Sequence, residues 1–403
     1  MAPAAGVAVV PWKVTKPVTE RMKFVLSVAE EPLETFVSLC ARFGISRKTG
    51  YKWIERFDLG GPGALEDRSS QARNLRHRLP EAMVLQVLEL RKEHPFWGPK
   101  KIRACLTPEA GKEPPAASTI GSLLKAYGLV KPRRRRGLRT GGSELPFKDA
   151  LSPNDVWCVD FKGHFLLGDG QRCDPLTLSD QASRYLLKCE ALTDTKMPAV
   201  RLHLERAFQE FGLPLRMRSD NGPPFASVGL GRLSELSVWF IKLGIELERI
   251  DPGHPEQNGR HERMHRTLKA EVPPRANLAA EQVALDRFRC VYNDVRPHEA
   301  LNQSPPAMHY QPSPRGLPNR LTSPEYPDRM QVRKLDRDGR IRWKGSTHLA
   351  VSSVLGNEPV GLDEVGENRW RLYYGPVILA EVIADEAGTR LHKPNHAEVG
   401  QRA

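Results

Sequence analysis

The feature that most constrains this fold is the succession of hydrophobic periods between residues 154 and 270. Apolar runs at 156–161, 164–167, 176–178 and 185–187 have strand length, and Gly168-Asp169-Gly170 supplies a tight turn among them. The period then lengthens. Pro198 opens a stretch in which Val200, Leu204, Phe208 and Phe211 recur every three or four positions, and Gly212 ends it. Residues 215–218 predict a strand, Leu233, Leu236, Phe240 and Leu243 a helix, 246–250 another strand, and a last helix runs from Arg260. A strand meander followed by helix, strand, helix, strand and helix is a mixed α/β layer arrangement.

Three acids fall at the ends of those elements. Asp160 closes the first strand, Asp220 follows the strand at 215–218, and Glu262 stands near the start of the last helix. Singly each has an ordinary structural use, as strand-end charge, turn residue before Asn221-Gly222 and helix N-terminal acid. Jointly, three carboxylates delivered to one end of an α/β unit suit Mg²⁺. Two such ions about 3.5–4 Å apart stabilise in-line displacement at phosphorus. Arg266 and Lys269 lie four and seven positions beyond Glu262, on one helix face with it, and can clamp phosphate. His254, His261 and His265 have no cysteine nearby, so phosphate contact or structural hydrogen bonding fits them better than zinc.

The N-terminal half reads as helical. Phe24 and Val28, then Leu33, Phe36 and Cys40, give one apolar face on each of two short helices, and Gly44 breaks the second. Ser46 can cap a third helix with Trp53, Ile54 and Phe57 inward and Arg47, Lys48, Thr49 and Lys52 outward. That is a helix-turn-helix layout, in which the third helix enters the major groove of double-stranded DNA. A second helical module spans 80–130. Pro99 and Ser118 open its later helices, Gly128 closes it, and Lys100, Lys101 and Arg103 are expected on its exposed side. The run 131–139 holds Arg133, Arg134, Arg135 and Arg136 without an acid, and should track phosphates.

A formal net charge of +13 favours a polyanionic partner. With no long apolar run and no signal-like start, a membrane location is not expected. Six scattered cysteines without a CxxC pair fit reduced thiols in a cytoplasm. After a helix around Leu285 to Tyr292 and a Pro-rich span, short alternating runs from Met330 onward predict six strands and a small β-barrel. Arg333, Lys334, Arg337, Arg340, Arg342 and Lys344 could contact DNA there.

Val159-Asp160-Phe161-Lys162-Gly163, Ser219-Asp220-Asn221-Gly222-Pro223-Pro224-Phe225 and His254-Pro255-Glu256-Gln257-Asn258-Gly259-Arg260-His261-Glu262-Arg263 resemble the three acidic motifs of DDE transposases of bacterial insertion sequences. That family shares the ribonuclease H-like core of retroviral integrases. Phe43 to Trp53 is similar to the turn and recognition helix of transposase helix-turn-helix domains. Met264 to Lys269, Tyr292-Asn293, Arg296 to Leu301 and Ser304 to Ala307 also match this branch, so the resemblance covers roughly residues 18–310.

It implies a multidomain chain: arm 1–17, helix-turn-helix 18–62, linker 63–79, second helix-turn-helix 80–130, basic linker 131–151, ribonuclease H-like core 152–310, linker 311–327, small β-barrel and tail 328–403. It also implies catalysis and metal binding by Asp160, Asp220 and Glu262, with two Mg²⁺ ions for which Mn²⁺ could substitute. The reaction would be cleavage at an element's terminal inverted repeats followed by strand transfer into target DNA. A homo-oligomer on DNA in a bacterial cytoplasm, associated with the nucleoid, would carry it out. Glu256 competes with Glu262 for third acid. The family's glutamate lies three residues past the glycine of its Gln/Asn-Gly step, here Gly259, which selects Glu262, and the extra length falls in 226–238. The alternatives are a catalytically silent DNA-binding regulator of transposase descent and a ribonuclease acting on hybrids.

Overall fold

In the computed structural model residues 17–30, 34–67, 79–107, 113–130, 147, 150–251, 254–343, 347–385 and 388–393 are described. The run with Arg133, Arg134, Arg135 and Arg136, the N-terminal arm, Leu33 and Lys344 lie outside them. The chain divides into two compact units, Met1–Arg78 and Leu79–Ala403.

The first unit contains helices α1 (Pro17–Glu30), α2 (Phe36–Arg42) and α3 (Arg47–Gly60). Thr35 caps α2 by accepting from the Ser38 amide, and Ser46 caps α3 by accepting from the Thr49 amide at 3.2 Å. Phe24, Val25, Leu39, Cys40, Trp53 and Leu65 form the core. Gly50 sits inside α3 because a Cβ there would stand 2.9 Å from Cys40 Sγ and from the Phe36 ring. The two helices of the turn could not cross so closely with any larger residue.

In the second unit α4 (Glu81–Glu93), α5 (Pro99–Cys105) and α6 (Ala117–Ala126) enclose Val87, Trp97, Ile102, Leu106, Ile120 and Leu124. Pro99 opens α5, but α6 starts after Ala116 without a side-chain cap, so Ser118 lies inside its first turn. Lys100 and Arg103 are exposed on α5 as expected, and the expectation is corrected for Lys101, which is half-buried. Lys100 pairs with Glu299, Lys101 Nζ donates to the Pro297 carbonyl, and Arg103 Nε donates to the Pro115 carbonyl at 3.2 Å. The reason is packing: Val291 lies against this helical cluster, which brings the segment around 297–299 against α5. Burial, and secondarily Arg296, lowers the Lys101 pKa to about 8.

The core sheet is built from β1 (Val156–Phe161), β2 (Phe165–Leu166), β3 (Arg172–Asp180), β4 (Leu186–Leu192), β5 (Arg216–Ser219) and β6 (Glu246–Arg249). β3 pairs antiparallel with β1, β2 and β4, whereas β1, β5 and β6 run parallel. Helices α7 (Met197–Phe211) and α8 (Glu235–Lys242) cover one face through Trp157, Val159, Leu178, Met217, Phe208 and Phe240. Helices α9 (Gly259–Glu271) and α10 (Leu278–Cys290) cover the other, where Leu186 and Cys189 meet Met264, Leu268, Leu285 and Phe288. Since strand side chains alternate, Trp157 and Val159 on the first face leave Cys158 and Asp160 on the face of α9.

Asn293, directly after α10, is 2% exposed and completes the outer edge of β4: its Oδ1 accepts from the Leu186 amide at 2.8 Å and its Nδ2 donates to the Leu186 carbonyl at 2.9 Å. Asn293→Ala would orphan both backbone groups. It should cost about 1–3 kcal/mol in chemical unfolding, and a cost below the error of the measurement would show that the edge pairing contributes nothing.

The C-terminal strands are β7 (Gln331–Lys334), β8 (Arg340–Arg342), β9 (His348–Ala350), β10 (Pro359–Gly366), β11 (Arg369–Tyr374), β12 (Val377–Asp385) and β13 (Gly388–His392). The expected barrel is corrected to an open antiparallel sheet, in the order β13, β12, β11, β10, β7, beside a separate β8–β9 hairpin. Closure is not needed to bury its apolar face. Leu233, Val238 and Ile241 of the core pack there with Ile341, Leu349, Leu355, Leu372 and Leu379. The span 311–327, expected as a linker, is instead a strap across the core. Ser313 donates its amide to the Phe211 carbonyl at 2.8 Å, the Arg315 carbonyl accepts from the Leu213 amide at 2.7 Å, and Leu317 and Leu321 pack on the main cluster.

Candidate active site

Strand register does the first part of the assembly. In the parallel ladder Val156 stands opposite Arg216 and Cys158 opposite Arg218, so Asp160 continues to the level of Asp220, just past the end of β5. Asp220 is set by a tight turn in which its Oδ1 accepts from the Gly222 amide at 3.1 Å. A Cβ on Gly222 would lie 3.1 Å from Asp220 Oδ2, so glycine keeps that carboxylate clear.

Helix α9 carries Glu262, the candidate third acid, in its first turn. His261, Met264 and Leu268 make its buried face, His265 is half-buried, and Glu262, Arg266 and Lys269 are exposed together. The carboxylate and both candidate phosphate clamps thus share one surface. The loop before α9 is fixed by Gln257, whose side chain accepts from the Asp251 amide at 2.7 Å and donates to Asp251 Oδ2 at 2.8 Å. Its carbonyl accepts from Arg218 Nη1 at 3.3 Å.

The three acids are close enough to act on one another. The Asp160 carboxyl is pushed up from its usual 3.8 to about 7, first by burial, then by the charge of Asp220, with Glu262 adding to it and the Phe161 amide opposing. Burial also raises Asp220, against the Gly222 hydrogen bond. A site in which carboxylates resist ionising together is one that a divalent cation relieves. Asp160, His261 and His265 further form a group whose possible ligand atoms lie within 4.8 Å of one another.

Two features escaped sequence reading. Lys162, two positions beyond Asp160, is half-buried, and its pKa is lowered by burial, against Glu281 and with Lys269 reinforcing. Strand alternation from Asp160 was the available signal for it. The hydroxyls of Thr177 and Ser179, which bond His261 and His265, lie in a strand that reads only as apolar filler. In the first unit, Arg47, Lys48 and Lys52 are exposed on α3, while Thr49 is half-buried with its Oγ1 2.9 Å from Ser46 Oγ.

The mixed sheet and its acids fall in residues that match integrase core models, and the N-terminal helices in residues that match helix-turn-helix models. Residues 150–255 and 243–306 match integrase core domain families, residues 20–73 a helix-turn-helix domain and residues 49–124 a homeodomain-like domain. Two of its relatives are insertion-element proteins. It is 27% identical over 233 residues to the insertion element IS476 uncharacterized 39.2 kDa protein of Xanthomonas euvesicatoria, covering 57% of this chain and 64%, under two thirds, of that protein. It is 28% identical over 232 residues to the insertion element IS407 uncharacterized 31.7 kDa protein of Burkholderia multivorans, covering 56% of this chain and 80% of that one. Among solved structures, the HTLV-2 integrase catalytic core domain in complex with magnesium aligns over 40% of this chain and 100% of its own, at 16% identity and a TM-score of 0.32. That likeness is distant. No described helix is long and apolar enough to cross a membrane.

Proposed function

We propose that the chain is a transposase that binds the terminal inverted repeats of its own element and cuts and joins DNA at Asp160, Asp220 and Glu262. What supports this reading is the parallel register that sets the half-buried Asp160 level with Asp220 at the end of the sheet, with Glu262 at the start of α9 near enough to add to the rise in the Asp160 pKa. The three carboxylates are hard oxygen donors, which fits Mg²⁺ or Mn²⁺, two ions in the full reaction. Bound there, divalent cations would act as Lewis acids on the phosphodiester and ease ionisation of the attacking hydroxyl.

The chain's own contribution is positioning. Asp160 lies on β1 and Asp220 just past the end of the adjacent parallel strand β5, so backbone pairing sets their level, whereas Glu262 enters from a helix and can adjust. Arg266, Lys269 and Lys162 would hold the phosphates on either side, adding affinity without sequence choice. Arg47, Lys48, Thr49 and Lys52 on α3 would read the repeat, and Arg133, Arg134, Arg135 and Arg136 would track the backbone. Assembly as a homo-oligomer would bring two element ends to one target.

A strand-transfer assay with Mg²⁺ on repeat-ended duplexes tests both the activity and the third acid. Glu262→Gln should lose roughly a thousandfold or more of joined product, while Glu256→Gln stays near wild type. The reverse ranking would mean the third acid is Glu256. Repeat binding by the wild-type chain without any metal-dependent product would favour a silent DNA-binding regulator instead.

A further inference from the structure

Behind Asp160 lies a hydrogen-bond network whose proton positions can be assigned by counting. Thr177 stands opposite Asp160 in the antiparallel β1–β3 ladder. Its hydroxyl oxygen is 3.0 Å from the Asp160 carbonyl, 2.8 Å from His261 Nε2 and 2.7 Å from His265 Nε2. A hydroxyl offers one proton and two lone pairs. The carbonyl can only accept, so one arrangement satisfies all three contacts: Thr177 donates to the carbonyl, and both imidazoles donate Nε2–H to Thr177. His261 then accepts at Nδ1 from Ser179 Oγ, 2.7 Å away. Both of its nitrogens are used.

His265 is left different. With its proton on Nε2, its Nδ1 carries a lone pair that faces Asp160 Oδ2 at 4.0 Å, and among the described residues no hydrogen-bond donor is paired with that nitrogen. Two electron-rich atoms held face to face call for positive charge between them. A separation of this size brackets a cation standing about 2.0–2.2 Å from each. His261 lies in the same cluster of possible ligands but is excluded by its two hydrogen bonds.

We infer that His265 Nδ1 is a nitrogen ligand to the cation held by Asp160, so the site is a mixed nitrogen and oxygen site that prefers Mn²⁺ over Mg²⁺. The inference rests on the reading of the three acids as a metal site. The imidazole is a poor partner for Mg²⁺ and a good one for borderline transition ions. His265 thereby ties the cation to the buried face of α9, on which Thr177 fixes the ring, while Glu262 approaches from the exposed face.

The test is spectroscopic and needs no turnover. Full-length protein loaded with Mn²⁺ alone is examined by pulsed electron paramagnetic resonance for ¹⁴N coupling, and Mn²⁺ and Mg²⁺ affinities are measured by calorimetry. Wild type should show directly bound nitrogen. His265→Gln, which keeps an amide donor toward Thr177, should lose that coupling and about tenfold in Mn²⁺ affinity while Mg²⁺ affinity barely changes. His265→Asn serves if the glutamine variant does not fold, and the wild-type spectrum decides by itself in either case. Mn²⁺ binding that Asp160→Asn abolishes but that carries no nitrogen coupling would overturn the role of His265 and leave the carboxylate site standing. A ring protonated at Nδ1 and paired with Asp160 would give that same result. Absence of saturable Mn²⁺ binding, or binding indifferent to Asp160→Asn, would overturn the metal site and His265 with it.

Discussion

Asp160→Asn is expected to stabilise the metal-free protein at pH 8 while abolishing strand transfer. The carboxyl titrates at about 7 in the folded chain against an ordinary 3.8, chiefly because it is buried and secondarily because Asp220 repels its charge. A folded-state pKa above the unfolded one means that the wild type is fully stable below about 4 and loses stability as pH rises through 7. The asparagine carries no charge and escapes that loss. At roughly 1.4 kcal/mol for each tenfold difference in proton affinity, the variant should gain on the order of 3–4 kcal/mol at pH 8. Thermal melts in chelator from pH 4 to pH 8 would show two curves that coincide in acid and separate toward neutrality. Added Mn²⁺ should close the gap by raising only the wild type. A variant that melts at or below wild type at pH 8 would mean that Asp160 is not held against its charge, and the electrostatic case for the site would go with it.

A charge held against burial is also what made the candidate site stand out in the sequence. A carboxylate at the end of an apolar strand is an oddity that periodicity exposes, and the parallel register then puts Asp160 and Asp220 side by side. Helix α3 was legible for a local reason, since Ser46 capping and the Gly44 turn are encoded within a few residues. Long-range partners were not. Lys101 looks like part of any solvated basic face, and only the segment at 297–299 packed against α5 makes it a half-buried contact. The Pro-rich 311–327 reads as a linker because proline breaks regular structure. Yet extended chain can still lie on a surface when its neighbours supply the hydrogen bonds, as Arg315 does with the carbonyls of Pro214 and Gly244. The same holds for 226–238, expected as tolerated extra length. Gly231 there meets Leu379, and Leu233 joins the cluster of the C-terminal sheet, so the insertion is a docking surface.

The other large effect is expected from a residue outside the chemistry. Glu248 on β6 is 8% exposed and accepts from Arg216 Nη1 at 2.7 Å and from Arg218 Nη2 at 2.8 Å and Nε at 3.0 Å. Both guanidiniums are buried as well. Glu248→Ala would remove the carboxylate that both buried guanidiniums share, a loss of about 3–5 kcal/mol in urea unfolding. Replacing all three residues with apolar side chains of similar volume should cost far less, because desolvation of the charges disappears along with their attraction. Activity separates the two cases in the opposite sense. Arg218 also lies 4.3 Å from the Phe147 ring and holds the Gln257 carbonyl, the last fixed point before the helix that carries Glu262. The apolar triple variant should therefore fold well and still join DNA poorly, having lost the anchor that sets the approach of Glu262. If instead it joins DNA like wild type, the Arg218 network serves stability alone, and Gln257 is held by its Asp251 hydrogen bonds without it.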